Sequence, residues 1–202
     1  MKLDPFRASF FIILIPLLSG CALLSPARTE INKYVLNTIP SSIPIARPHS
    51  ATLLVLPPQT ASIYASTRML YTSRAYQIEY FSENEWAATP EQMIQPLIIN
   101  TLRSTRYFSN VMSPPDYGSH TFVLRTDILE LRQDFTADPA ILKITIRFDL
   151  SREAASQVIA TKEFSVREPM QARTPYAGVV AANEALGKVL RDLAIFVIEN
   201  VH

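Results

Sequence analysis

The chain has 202 residues, 48% of them hydrophobic, and a formal net charge of +1. That is one ordinary domain with apolar content enough for a core, and its charge balance argues against nucleic acid and against electrostatic membrane binding, both of which need a basic patch. One cysteine excludes a disulfide framework and a cysteine-type zinc site, and four glycines (Gly20, Gly118, Gly178 and Gly187) leave no glycine-rich phosphate cradle.

The chain opens with a positive stretch, Lys2 and Arg7 offset in part by Asp4. Ala8 to Leu18 is then apolar except for Ser9 and Pro16. This run is too short to span a bilayer, which takes ~20 residues, and fits the core of a secretory signal. It ends in Leu18-Ser19-Gly20-Cys21, which resembles the bacterial lipobox, where the cysteine is lipidated and becomes the first residue after cleavage. The alternative is an ordinary signal with a chance cysteine near its end. An exposed unpaired thiol in an oxidising compartment is a liability, and a thiol consumed by lipid is not. Residues 1–20 are therefore expected to be a signal peptide and Cys21 a lipid anchor, palmitate among its chains. Since Lys2, Arg7 and Asp4 lie in the signal, the remaining 182 residues are formally neutral. Ala22, not Asp, follows the cysteine, and the sorting rule of such lipoproteins then implies the outer membrane.

Residues 21–50 read as a tether, punctuated by Pro26, Pro40, Pro44 and Pro48, with a first strand placed at Lys33-Tyr34-Val35-Leu36. Residues 51–202 read as a single domain. Ala51 to Leu56 is a continuous apolar run stopped by Pro57-Pro58, which predicts a strand covered on both faces. Arg68 to Tyr71 and Tyr76 to Tyr80 predict a hairpin. Thr89-Pro90-Glu91-Gln92 is a helix start with a capping box, and Pro96 should kink that helix or delay its regular start. His120 to Phe135, Ala140 to Arg152 and Gln157 to Arg167 predict three consecutive antiparallel strands. In the second, Leu142, Ile144, Ile146, Phe148 and Leu150 alternate with Lys143, Thr145, Arg147 and Asp149, a period of two with one buried face. In the third, Val158, Ala160, Phe164 and Val166 are placed inward. Thr174 should cap a final helix from Pro175 to Asn200, with Ala182, Leu186, Val189, Leu193 and Phe196 on one face and Lys188 paired to Glu184 and Asp192. The expected fold class is α+β: a mainly antiparallel sheet with two helices, most simply on one face, as a two-layer sandwich.

No catalytic, metal or cofactor site emerges. His49, His120 and His202 lie far apart, and no HExxH, nucleophile elbow or Cys/His pairing is present. Asp127 and Glu130 read either as paired carboxylates or, with Arg125 and Arg132, as a solvated face of alternating charge. The unusual feature is the cluster Tyr64, Tyr71, Tyr76 and Tyr80 with Phe81 and Trp86. It reads either as rings closing the core or as a protein-contact surface, because aromatic residues dominate interface hot spots.

These residues in this order resemble the ABC-type transport auxiliary lipoproteins, the PqiC-like family. The resemblance runs through Tyr34-Val35-Leu36, Leu53-Leu54-Val55-Leu56-Pro57, Met69-Leu70-Tyr71, Ile78-Glu79-Tyr80, Trp86 and Pro90. It continues through Tyr107-Phe108-Ser109-Asn110-Val111, Phe164, and Ala181-Ala182-Asn183-Glu184-Ala185-Leu186. It implies a non-enzymatic lipoprotein of an ABC/MCE-type envelope lipid transport system, facing the periplasm and anchoring the periplasmic MCE protein at the outer membrane. A homo-oligomer stays open. The partner is expected at Tyr64, Tyr71, Tyr76 and Tyr80, by packing and with little dependence on salt. The rival reading is a structural lipoprotein assisting assembly of an outer-membrane protein complex. A lipid-tethered hydrolase lacks any nucleophile and base.

Overall fold

The computed structural model describes residues 30–153 and 157–201. The signal peptide and Cys21 lie outside the described residues. Residues 31–202 form one compact unit.

Nine strands and two helices are present among the described residues. In chain order they are β1 (Asn32–Tyr34), β2 (His49–Val55), β3 (Gln59–Thr60), β4 (Arg68–Thr72) and β5 (Glu79–Trp86). Then come α1 (Pro90–Ser104), β6 (Phe108–Met112), β7 (Phe122–Asp134), β8 (Ile141–Arg152), β9 (Gln157–Pro169) and α2 (Pro175–Asn200). A single turn of 3₁₀ helix, Ser62–Tyr64, lies between β3 and β4. The fold is α+β as expected, with two helices, but the sheet is mixed and not mainly antiparallel. The β4–β5, β7–β8 and β8–β9 pairs are antiparallel. The β1–β5, β2–β6, β2–β7, β3–β7 and β4–β7 pairs are parallel. Short polar connections announce only sequence-local hairpins; these parallel pairs join segments distant in sequence.

Strand β7 is the hub. One edge pairs along its whole length with β8. The other edge takes β2 at Phe122–Leu124, β3 at Asp127–Ile128 and β4 at Gln133–Asp134, three short strands laid end to end. Strand β2 runs between two parallel neighbours, and its Leu53, Leu54 and Val55 are all buried, as a continuous apolar run demands. Residues 31–38 belong to this unit. β1 pairs with β5, Leu36 is buried, and Asn183 of α2 fastens the segment. Its Oδ1 accepts from the Asn37 and Thr38 N–H groups (2.9 and 3.2 Å) and from Thr38 Oγ1 (3.0 Å), while its Nδ2 donates to the Val35 carbonyl (3.1 Å).

Both helices start where the sequence places them. Gln92 accepts from the Thr89 N–H at 3.2 Å, and Thr174 Oγ1 accepts from the Ala177 N–H at 3.2 Å. Helix α1 runs unbroken from Pro90 through Pro96, so its start is not delayed. Pro96 and Gln92 both face solvent, where water can satisfy the carbonyl that Pro96 leaves without a donor. Ala182, Leu186, Val189, Leu193 and Phe196 are buried in one continuous core shared with α1 and the sheet. Lys188 pairs with Glu168 of β9, not with Glu184 or Asp192; Asp192 is taken by Arg191 at 3.0 Å. The buried carboxylate of Glu168 across the interface outcompetes helical neighbours that water already solvates. Gly178 meets β7 so closely that a Cβ there would lie 2.0 Å from Gln133 Cδ, and Gln133 Nε2 donates to the Pro175 carbonyl at 3.1 Å.

Two β-bulges decide which side chains face the core. In β8, Leu142, Ile144, Ile146, Phe148 and Leu150 are all fully buried, as the alternation predicts. In β7 the register slips between Ile128 and Glu130. Phe122, Leu124 and Ile128 point inward before the slip, and Leu131 and Gln133 after it. In β9 the slip at Ile159 sets Val158 opposite Ser151 on the outer face, where it is 51% exposed. This corrects the inward assignment of Val158; Ala160, Phe164 and Val166 remain packed against the core.

The outer face of β7 and β8 is a ladder of ion pairs, half-buried and not openly solvated. Asp127 meets Arg147 (2.6 Å), Glu130 meets Arg132 (2.8 Å), and Asp134 meets Lys143 (2.6 Å). The two candidate paired carboxylates thus each face a guanidinium. Thr145, expected on the solvated face, is 8% exposed and donates to Ser165 Oγ at 3.1 Å. Asp134 is the most buried carboxylate of the ladder. Burial alone would raise its pKa, but Lys143 and the hydroxyl and N–H of Thr136 outweigh it and hold the carboxyl at about 2, against an ordinary 3.8.

Ile146→Asp strands a carboxylate among apolar side chains and should cost about 4 kcal/mol or leave the chain unfolded, whereas Val158→Asp should stay within about 0.5 kcal/mol. Chemical denaturation of the two variants checks this, and equal costs would refute the bulge at Ile159. Asp134 has a lowered folded pKa, so its stabilisation is complete above pH ~4 and is lost as pH falls through ~2. The loss amounts to roughly 2 kcal/mol. Urea midpoints measured from pH 5 to pH 2 should fall less steeply for Asp134→Asn than for the native protein.

Candidate partner-binding surface

The four tyrosines expected at the contact lie in the stretch from the 3₁₀ turn through β5, and the fold separates them. Tyr64 ends the 3₁₀ turn with its ring in the core, 7% exposed. Burial pushes its phenol pKa up, Glu130 adds to the rise, and Arg132 opposes it. Tyr71 on β4 is half-buried. It stacks on Phe81 at 4.4 Å between centroids and meets the edge of Phe135 at 5.7 Å. Burial and the neighbouring Glu79 carboxylate both raise its pKa. Tyr80 on β5 is also half-buried, with the Arg68 guanidinium 3.6 Å above its ring centroid. Trp86, at the end of β5, is buried in the core.

Tyr76 differs from the other three. It sits in the β4–β5 turn with φ +66°, a left-handed conformation uncommon for a residue with a bulky side chain, and its ring is fully exposed. Glu79 fixes the turn. Its two carboxylate oxygens accept from Ser73 Oγ at 2.6 Å and from Gln77 Nε2 at 2.9 Å, while the Gln77 N–H reaches the Arg74 carbonyl at 3.2 Å. The turn is braced from one side to the other, and the ring it carries is presented to solvent beside Ile78, which is 40% exposed.

Between this turn and the charge ladder lies an open groove of about 640 Å³, with Tyr64 at its inner wall and Tyr76 at its rim. Arg132 lies on its floor. Beyond its bond to Glu130, its guanidinium donates to Thr72 Oγ1 at 2.7 Å. Asp134 also accepts from the Thr136 N–H at 2.9 Å and from its hydroxyl at 2.5 Å. Each of these charged groups already has an opposite charge beside it. What the turn adds at the rim is the aromatic and aliphatic surface of Tyr76, Ala75 and Ile78, beside the amide of Gln77, while the carboxylate of Glu163 lies across the groove.

The aromatic group that sequence reasoning missed is completed by Phe135, whose ring lies edge-on to both Tyr71 and Phe81 and is capped by Arg173 at 5.5 Å. Phe135 follows β7, far from the tyrosines in the chain, so no local pattern ties it to them. Among the described residues no group of three or more His, Cys, Asp or Glu side chains is placed to hold a metal ion. No helix among them is long and apolar enough to cross a membrane.

Solved structures share this fold, two of them as follows. Protein XCC0632 of Xanthomonas campestris superposes with a TM-score of 0.72 at 19% identity, covering 84% of this chain and 95% of that one. Hypothetical protein CT253 of Chlamydia trachomatis superposes with a TM-score of 0.53 at 9% identity, covering 75% and 98%. At such identities the likeness is one of fold alone. No curated protein matches the sequence. The family model of the ABC-type transport auxiliary lipoprotein component matches residues 34–194, from the end of β1 into α2, so that all of the sheet beyond the first strand and both helix starts fall within it. The chain belongs to the family of ABC-type transport auxiliary lipoprotein components.

Proposed function

We propose that this protein is the non-enzymatic, outer-membrane-anchored component of an ABC/MCE-type envelope lipid transport system. It holds the periplasmic MCE protein of that system at the membrane. The family match over residues 34–194 carries the reading. The Leu18-Ser19-Gly20-Cys21 run supports the anchor. The partner contact centres on the β4–β5 turn. There Tyr76 is an exposed ring on a braced support, the low-entropy kind of anchor that fills a partner's pocket. Tyr71 and Tyr80 extend the contact with their exposed edges, and Tyr64 acts from inside by fixing the wall of the groove. Because the ladder beneath is internally neutralised, binding rests on packing and depends weakly on salt.

Replacing Cys21 with Ser should release the protein from the membrane fraction or leave an uncleaved precursor, read by fractionation and intact mass. Retention in the outer membrane with no acyl mass on the native protein would defeat the anchor. For the contact, Tyr76→Asn keeps a residue that tolerates positive φ and removes the ring. It should weaken capture of the MCE protein by about 30-fold, the size of a 2 kcal/mol hot spot, with no change in melting temperature. Tyr64→Ala should instead destabilise by about 3–5 kcal/mol through the cavity it leaves. A Tyr76→Asn variant that binds normally would move the contact elsewhere and leave the rival reading, assembly of an outer-membrane protein, to be tested with that protein as bait.

A further inference from the structure

A second surface has no role in the partner contact. It lies where the chain enters the domain. Val35 and Ile39 are 46% and 44% exposed, and Ile31, just before β1, is 44% exposed. Val35 faces Tyr176 and Val180 on the first turns of α2, 63% and 36% exposed, while Ile39 lines a neighbouring groove further along α2 with Gly187 and Lys188. Val35, Tyr176 and Val180 line one groove of about 410 Å³ together with Lys33. Side chains this apolar are ordinary singly, but grouped on one face they mark a contact.

The patch is rigid. Asn183 binds the backbone of residues 35, 37 and 38 and also donates to the Val179 carbonyl at 3.0 Å. Tyr34 and Tyr176 pack with ring centroids 6.1 Å apart, and the Tyr34 hydroxyl donates to Asn84 at 3.3 Å. The clamp therefore holds the entering segment on α2, with Val35 at its start.

What covers the patch follows from chain length. Nine residues, ten Cα–Cα steps, separate Cys21 from Ile31. Whatever their conformation, they reach at most ~35 Å. With acyl chains on Cys21, Ile31 and the patch beside it stay within that distance of the bilayer surface. Under such tethering a weak apolar contact becomes intramolecular and needs little intrinsic affinity. The groove joins the aliphatic Val35 and Val180 to two tyrosines whose hydroxyls can stay wet and a lysine able to snorkel, with Glu184 at its polar end on the next turn of α2, a mixture that suits the interfacial zone of a bilayer and not its apolar interior.

We infer that the face formed by Val35, Tyr176 and Val180, at the point where the chain enters the domain, seats against the membrane surface and fixes the orientation of the domain on it. This rests on the lipidation of Cys21, and the experiment separates the two. The acylated full-length protein is prepared with Val180→Cys, labelled with an environment-sensitive fluorophore, and reconstituted in phosphatidylcholine vesicles with and without brominated acyl chains. Cys21, consumed by lipid, gives no background. Ala75→Cys, in the exposed β4–β5 turn, is the control. The label at 180 should shift to the blue in vesicles and lose emission with brominated lipid, and the label at 75 should do neither. Melting temperatures equal to that of the unlabelled protein establish that both variants are folded. Flotation with the vesicles and no change at 180 overturns the seating while lipidation stands. Failure to float overturns lipidation and the seating with it. A blue shift at 180 that ignores bromine and grows with protein density means that a second copy covers the face, and this also overturns the seating.

Discussion

Everything in this fold depends on β7 having two satisfied edges. Its thirteen residues bond to β8 on one side, while β2, β3 and β4 share the other, none of them long enough to cover it alone. The N-terminal half of the chain is a set of short segments that meet only because one long strand collects them. The C-terminal half, β7 to β9 with α2 on top, is local and continuous. Closing long loops before the β7 pairings form costs entropy that the meander does not have to meet. The bulge between Ile128 and Glu130 lets one strand serve both halves. Without the extra residue, Leu131 would turn outward and Arg132 would turn into the core.

Bulges also explain where sequence reading succeeds and where it stops. In β8 nothing interrupts the period of two, so every inward residue from Leu142 to Leu150 is legible, and β7, β8 and β9 fall close to their expected limits. Helix α2 declares itself through Thr174, Pro175 and the spacing of its buried face. Val158 is misread because a single slipped residue inverts its side, and no composition rule marks Ile159 as the one that slips. β6 is missed because Phe108 to Met112 contains Ser109 and Asn110, weak strand formers that owe their conformation to pairing with β2. The parallel pairs are missed for a related reason: periodicity reports which face of a strand is buried, never which strand lies beside it.

Function was partly legible on the same terms. Composition singles out the tyrosine-rich stretch but cannot rank its members, because burial and backbone conformation make the difference. Tyr64 and Tyr76 are chemically the same residue twelve positions apart, both lining one groove. One is core, with a phenol pushed up by desolvation; the other is held outward at positive φ by a turn that Glu79 braces. The bracing comes from side chains two to six residues apart, so it could have been suspected from Ser73, Gln77 and Glu79. The Asn183 clamp spans nearly 150 residues and could not.

One strand relates the two surfaces. β5 begins at Glu79, directly after the turn that presents Tyr76, and ends at Trp86, opposite Tyr34 of β1. Eight residues of extended chain separate the ends by about 25 Å. Partner contact and membrane seat, as proposed, therefore sit at opposite ends of one hydrogen-bonded strand, held by β4 at both its ends and by β1 at its last three residues. A spacer of this kind does not bend the way a loop does. A lipid anchor alone leaves a protein free to swivel, so the position of a partner bound to it would be poorly defined. Seating the β1 end fixes the direction of β5 relative to the bilayer, and the braced turn at its far end then presents Tyr76 at a set height. In that arrangement the paired sheet, not the nine residues after Cys21, determines where the partner is held.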